Sequence, residues 1–109
     1  MKTNSNLDIH QTFPGYQPMP LIGITSDSSY AKAVQKEGGV PLVLPPYDNA
    51  DMLVNLLNTI DGILFTHEPA PMLTQLASNR QIPTLSVRQE NPSIQELVYE
   101  ASLFKTAKS

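Results

Sequence analysis

A chain of 109 residues with 40 % hydrophobic and 16 % charged side chains has the material for one core and not for two. Its net charge of −3 offers no basic surface to a nucleic-acid backbone; no apolar run approaches the roughly 20 residues of a membrane span, and the polar start from Met1 to Asn6 lacks a signal peptide's apolar stretch, so the expected location is the cytoplasm. Cysteine is absent, which excludes disulfides, thiolate metal sites and a cysteine nucleophile within these residues.

Residues 1 to 19, with Pro14 and Pro18 around Phe13 and Tyr16, show no period and read as an irregular arm. Leu21-Ile22-Gly23-Ile24-Thr25 is then apolar without alternation, as a strand covered on both faces requires. It stops at Ser26-Asp27-Ser28-Ser29, where Asp27 or Ser28 can cap the next helix by accepting from its free N–H groups. That helix carries Tyr30, Ala33 and Val34 at i, i+3 and i+4 and stops at Gly38-Gly39. Val40 to Leu44 reads as a second strand, and Pro41, which has no N–H for a neighbouring ladder, suits an edge. Asn49 caps a helix whose Leu53, Leu56, Leu57 and Ile60 form one stripe.

Gly62 to Thr66 is the third strand, ending at His67-Glu68-Pro69. Pro71 opens a helix expected to turn Met72, Leu76 and Ala77 inward, and Asn79-Arg80-Gln81 closes it before a fourth strand from Pro83 to Val87. Asn91-Pro92 pairs a cap with a first-turn proline for the last helix, whose inward face is Ile94, Leu97, Val98 and Ala101. Glu96 and Glu100 fall on a solvated face, and Lys105 and Lys108 sit where the helix dipole favours cations.

Strands starting near residues 21, 41, 62 and 83 make a repeating βα unit, the alternation of a parallel sheet with helices on both faces. The expected fold over residues 20–109 is a three-layer α/β/α, flavodoxin-like domain with a four-stranded parallel sheet in the order 2-1-3-4, which puts Pro41 on an edge. Ligands of such sheets bind at the carboxyl ends of the strands where the order reverses, here between strands one and three. The candidate ligand-binding residues are therefore Ser26, Asp27, Ser28, His67 and Glu68, joined by Arg88 after strand four, whose guanidinium fork matches a small carboxylate or amino-acid-like ligand. His10, His67, Asp27 and Glu68 lack any metal-ligand spacing, and Gly23 stands alone rather than in a phosphate loop, so neither metal nor cofactor is expected.

The order Pro20-Leu-Ile-Gly-Ile-Thr-Ser26, then Tyr30 with Ala33-Val34, Gly38-Gly-Val-Pro-Leu-Val-Leu-Pro-Pro46 and Asp61-Gly-Ile-Leu-Phe-Thr66 resembles the amino-terminal half of the class I glutamine amidotransferase-like family. Within it the likeness is to the gamma-glutamyl hydrolase and gamma-glutamyl-GABA hydrolase branch, peptidase C26-like, over about residues 20 to 90. The resemblance implies hydrolysis of a gamma-glutamyl amide by a Cys nucleophile on a strand-to-helix turn, with a downstream His and Glu and a glycine-rich oxyanion loop. The sequence departs from each part. The family's Leu-Gly-Ile-Cys-Arg-Gly turn matches Leu85 to Glu90, with Arg88 in the nucleophile's place and Glu90 where the elbow's glycine belongs. The glycine-rich loop is matched by His67-Glu68-Pro69-Ala70, and Pro69 has no N–H for an oxyanion. The positions expected for the family's His and Glu fall beyond residue 109.

The expectation is thus a catalytically inactive domain of this family that binds or interacts. Two other readings stand beside it: a small-molecule-binding half-domain similar to sugar-repressor sensor domains, on Asp61-Gly-Ile-Leu-Phe and Gln81-Ile-Pro-Thr-Leu, or a weak hydrolase using Ser28 or Ser29 with His67. Open sheet edges further predict a homodimer on the fourth strand and last helix, around Val98, Leu103 and Phe104, with the Phe13 and Tyr16 arm as an alternative clasp.

Overall fold

Three apolar runs and the short Thr84–Ser86 segment become the strands of this protein, buried in the middle of the sheet and more exposed at its edges, and the segments between them its helices. The structure, a computed structural model, describes residues 19–25, 28–44, 49–66, 71–88 and 92–108. In chain order these form β1 (Leu21–Thr25), a 3-10 turn (Ser28–Tyr30), α1 (Ala31–Lys36), β2 (Val40–Leu44), α2 (Ala50–Leu57), β3 (Gly62–Phe65), α3 (Pro71–Asn79), β4 (Thr84–Ser86) and α4 (Ile94–Lys108). The four strands are all parallel in the order β2-β1-β3-β4, the topology that the spacing predicts, with Pro41 on an edge strand opposite Ile22.

The sheet divides the interior into two cores. Ile63 and Phe65 of β3 pack on one face with Leu53 and Leu57 of α2 and Leu73 and Ala77 of α3. Leu64 packs on the other with Ile22, Ile24, Val34 of α1 and Leu97, Val98 and Ala101 of α4. Every residue of β3 is buried, which is why its sequence shows no polar alternation.

Helix ends follow local chemistry, with three departures from the sequence reading. Asn49 caps α2 as expected, its side chain accepting from the Met52 N–H at 3.1 Å. At α1, however, Ser28 does not cap: the 3-10 turn intervenes and Tyr30 takes the cap position with no side-chain cap bond, and Asp27 lies outside the described residues. At α4 the capping oxygen is Ser93 Oγ, which accepts from the Glu96 N–H at 3.1 Å, two residues later than the Asn91-Pro92 reading placed it; Asn91 lies outside the described residues. In α3 the inward residue of the first turn is Leu73, 5 % exposed, rather than Met72, 42 % exposed, because Leu73 and not Met72 stands four residues before Ala77.

Both α1 and α3 end by reversing their backbone through a left-handed residue. Gly38 has φ +96 and its N–H reaches the Gln35 carbonyl while the Gly39 N–H reaches Val34. A Cβ on Gly39 would lie 2.8 Å from Val34 Cγ1, so the second glycine is there for close packing. At α3 the same pair of bonds runs from Gln81 to Ser78 and from Ile82 to Ala77, but the left-handed residue is Gln81 at φ 59, a conformation costly for a side chain with a Cβ.

Candidate functional site

The carboxyl ends of β1 and β3, where the strand order reverses, are joined by two threonines that end their apolar runs. The Thr66 N–H donates to Thr25 Oγ1 at 3.0 Å, and the Thr66 hydroxyl donates to the Thr25 carbonyl oxygen. Thr66 is buried and Thr25 half-buried, so these bonds fix the height at which both loops leave the sheet. Both hydroxyls are engaged across the strand pair and serve to position, not to attack. Nothing in either run singles out these two threonines; only the parallel register brings residues 41 positions apart together.

Around this point the expected site residues distribute as follows. Ser26, Asp27, His67 and Glu68 lie outside the described residues. Ser28 is exposed in the 3-10 turn above β1. Arg88 is exposed in the turn that follows β4, and its backbone N–H donates to Ser86 Oγ at 3.2 Å. β4 is separated from β1 by β3, so Arg88 leaves the sheet about 10 Å to the side of the β1 end. Among the described residues only Gln81 and Gly38 have positive φ, so Arg88 does not adopt the strained left-handed backbone associated with a nucleophile elbow. Among the described residues no three His, Cys, Asp or Glu side chains stand together as a metal site would require, and no helix is long and apolar enough to cross a membrane.

The profile of the peptidase C26 family matches residues 20–95, from the start of β1 through β4 into α4. The chain belongs to the peptidase C26 family. No match to it was found among curated proteins. In this glutamine amidotransferase-like domain the match encloses both threonines, the Ser28 turn and Arg88.

At the opposite end of the sheet lies a polar cluster that the sequence reading did not single out. Asp61, just before β3, is fully buried. Its Oδ2 accepts the Leu21 N–H at 2.8 Å, an amide that points toward β3 below the point where that strand begins. Lys108 of α4 places its ammonium 2.9 Å from Oδ1 and also donates to the Ile60 carbonyl at 3.0 Å, while Lys105 is 3.7 Å from Oδ2. Oδ1 receives no hydrogen bond of good angle among the described residues, so its contact with Lys108 is chiefly one of charge. The two lysines thus do more than complement a helix end: they bring cations to a buried anion and tie the end of α4 to the base of the sheet.

Proposed function

We propose that this chain is a non-hydrolytic member of the peptidase C26 family, from its gamma-glutamyl hydrolase branch, that binds a small carboxylate or amino-acid-like ligand above Thr25 and Thr66. One observation carries the reading: the position matched to the family's nucleophile is Arg88, a side chain that cannot attack a carbonyl, on unstrained backbone, in a sequence without cysteine. A guanidinium there is suited to hold the carboxylate of a gamma-glutamyl group. Ser28, with Ser26, Asp27, His67 and Glu68 on the neighbouring loops, supplies the polar groups for the remainder of the ligand.

The expected outcome is no release of anilide from a gamma-glutamyl anilide by the pure protein, together with a thermal shift by gamma-glutamyl compounds that Arg88→Ala abolishes. Turnover that scales with protein and survives Arg88→Ala would overturn the non-hydrolytic reading. Labelling by a fluorophosphonate probe, lost in Ser28→Ala, would move the assignment to a serine hydrolase. A shift by sugars and not by gamma-glutamyl compounds would move it to a sensor half-domain.

A further inference from the structure

Among the described residues, β2 and the nearby Met19 hold four of the eight exposed large apolar side chains. Val40, Leu42 and Val43 are 40 %, 37 % and 40 % exposed, and Met19, half exposed, stands beside them where the Val40 N–H meets the Pro20 carbonyl. On α4, by contrast, Val98 is buried in the chain's own core and Phe104 is partly buried against the other core, which leaves Leu103 and Tyr99 on a face shared with Glu96 and Glu100. Copies of a chain of net charge −3 repel one another unless they meet on a surface free of charge, and Met19–Pro20 and Val40–Leu44 contain no ionisable side chain. We infer that two copies of this chain join β2 to β2 about a two-fold axis, making one continuous eight-stranded sheet.

The backbone specifies the register. Val40 donates toward β1, so by alternation Val40, Leu42 and Leu44 bond inward, and Pro41 and Val43 present their polar groups to the open edge. Pro41 offers only its carbonyl there. With Leu42 opposite Leu42 of the second copy, Val43 faces Pro41, and the amide that an ordinary edge would leave without an acceptor has one: each Val43 N–H meets the other copy's Pro41 carbonyl. This register also overlaps all of β2, from Val40 opposite Leu44 onward, and asks nothing of the missing proline donor. The proline that blunts the edge toward most strands therefore leaves it complementary to itself.

In the same register Leu42 lies in a pair that exchanges no hydrogen bonds, with Cα atoms about 4.5 Å apart. That separation suits a disulfide. In a chain without cysteine, Leu42→Cys gives a single thiol on the two-fold axis. The experiment is light scattering of the full chain at tens of micromolar, with oxidation of the cysteine variant. We expect twice the 12.0 kDa chain mass for the wild type, the single-chain mass for Leu42→Lys and Val43→Lys with unchanged far-UV circular dichroism, and a covalent dimer of Leu42→Cys. The control Leu103→Cys stays unlinked. A wild type that is monomeric throughout this range, or a dimer that survives both lysine variants and falls apart on Leu103→Glu, would overturn the assignment. Should the lysine variants unfold, the cross-link alone decides: a folded Leu42→Cys that does not dimerise covalently excludes this interface.

Discussion

Asp61 carries a carboxylate with no exposed surface, and its partners differ in kind: a backbone amide from β1, one close ammonium from Lys108, and one distant ammonium from Lys105. Removing one partner of a buried ionic contact is costly because the remaining charge has lost its water and gained nothing, whereas a partly exposed lysine re-enters solvent freely. Asp61→Ala, which frees both partly exposed lysines to water but orphans the Leu21 amide, is therefore expected to lower stability by about 1–3 kcal/mol. Lys108→Ala, which leaves the buried carboxylate with the Leu21 amide and one distant ammonium, should cost about 3 kcal/mol and Lys105→Ala less than about 1 kcal/mol, the order set by their distances from the carboxylate. Urea denaturation at unchanged m-value measures all three; equal losses for the two lysines would mean that Asp61 is held by the Leu21 amide and the general field rather than by Lys108.

At the scale of the element, α3 shows how an apolar stripe can be read one residue out. Met72, Leu73, Leu76 and Ala77 allow two faces, and hydrophobicity alone does not choose between them. The choice falls to Leu73 because the core it completes is lined by Leu53, Leu57 and Ile63, to which a helix beginning at Pro71 turns residues 73 and 77. Leu73→Ala should cost about 2–4 kcal/mol, the range for emptying a leucine-sized volume in a packed core, and Met72→Ala no more than about 0.5 kcal/mol. Thermal melts of the two variants, run side by side, check the assignment, and a larger loss at Met72 would reverse it.

For the whole molecule, the two cores lie on opposite faces of one sheet and share its central strand, β3, whose side chains alternate between them. Neither core keeps its floor if the other lets the sheet unravel. Ile63→Ala, on the α2 and α3 side, and Leu97→Ala, on the α4 side, are therefore both expected to shift one shared unfolding transition to lower temperature. Separate transitions for the two sides, followed by far-UV circular dichroism and by residue-resolved amide exchange on α2 and α4, would show that the layers unfold independently.

Local pattern was enough for the architecture because strand and helix periods, glycine stops and proline positions are properties of neighbouring residues. The parallel order and the edge position of Pro41 follow from them. The expectation of a site at these strand ends, with Arg88 at the position matched to the family's nucleophile, is likewise a reading of the letters alone. What the sequence could not determine is contact between residues far apart along the chain. The Asp61 bond to Leu21, the Thr66 bond to Thr25 and the Lys108 bond to Ile60 span 40, 41 and 48 positions, and each exists only because parallel pairing and the return of α4 bring those ends together. The start of α4 is likewise seen only in the structure, where Ser93 Oγ accepts the Glu96 N–H. Burial, too, is a tertiary quantity: the enclosure of Asp61 and the apolar exposure of β2 depend on which neighbours cover them, and no spacing in the sequence records that.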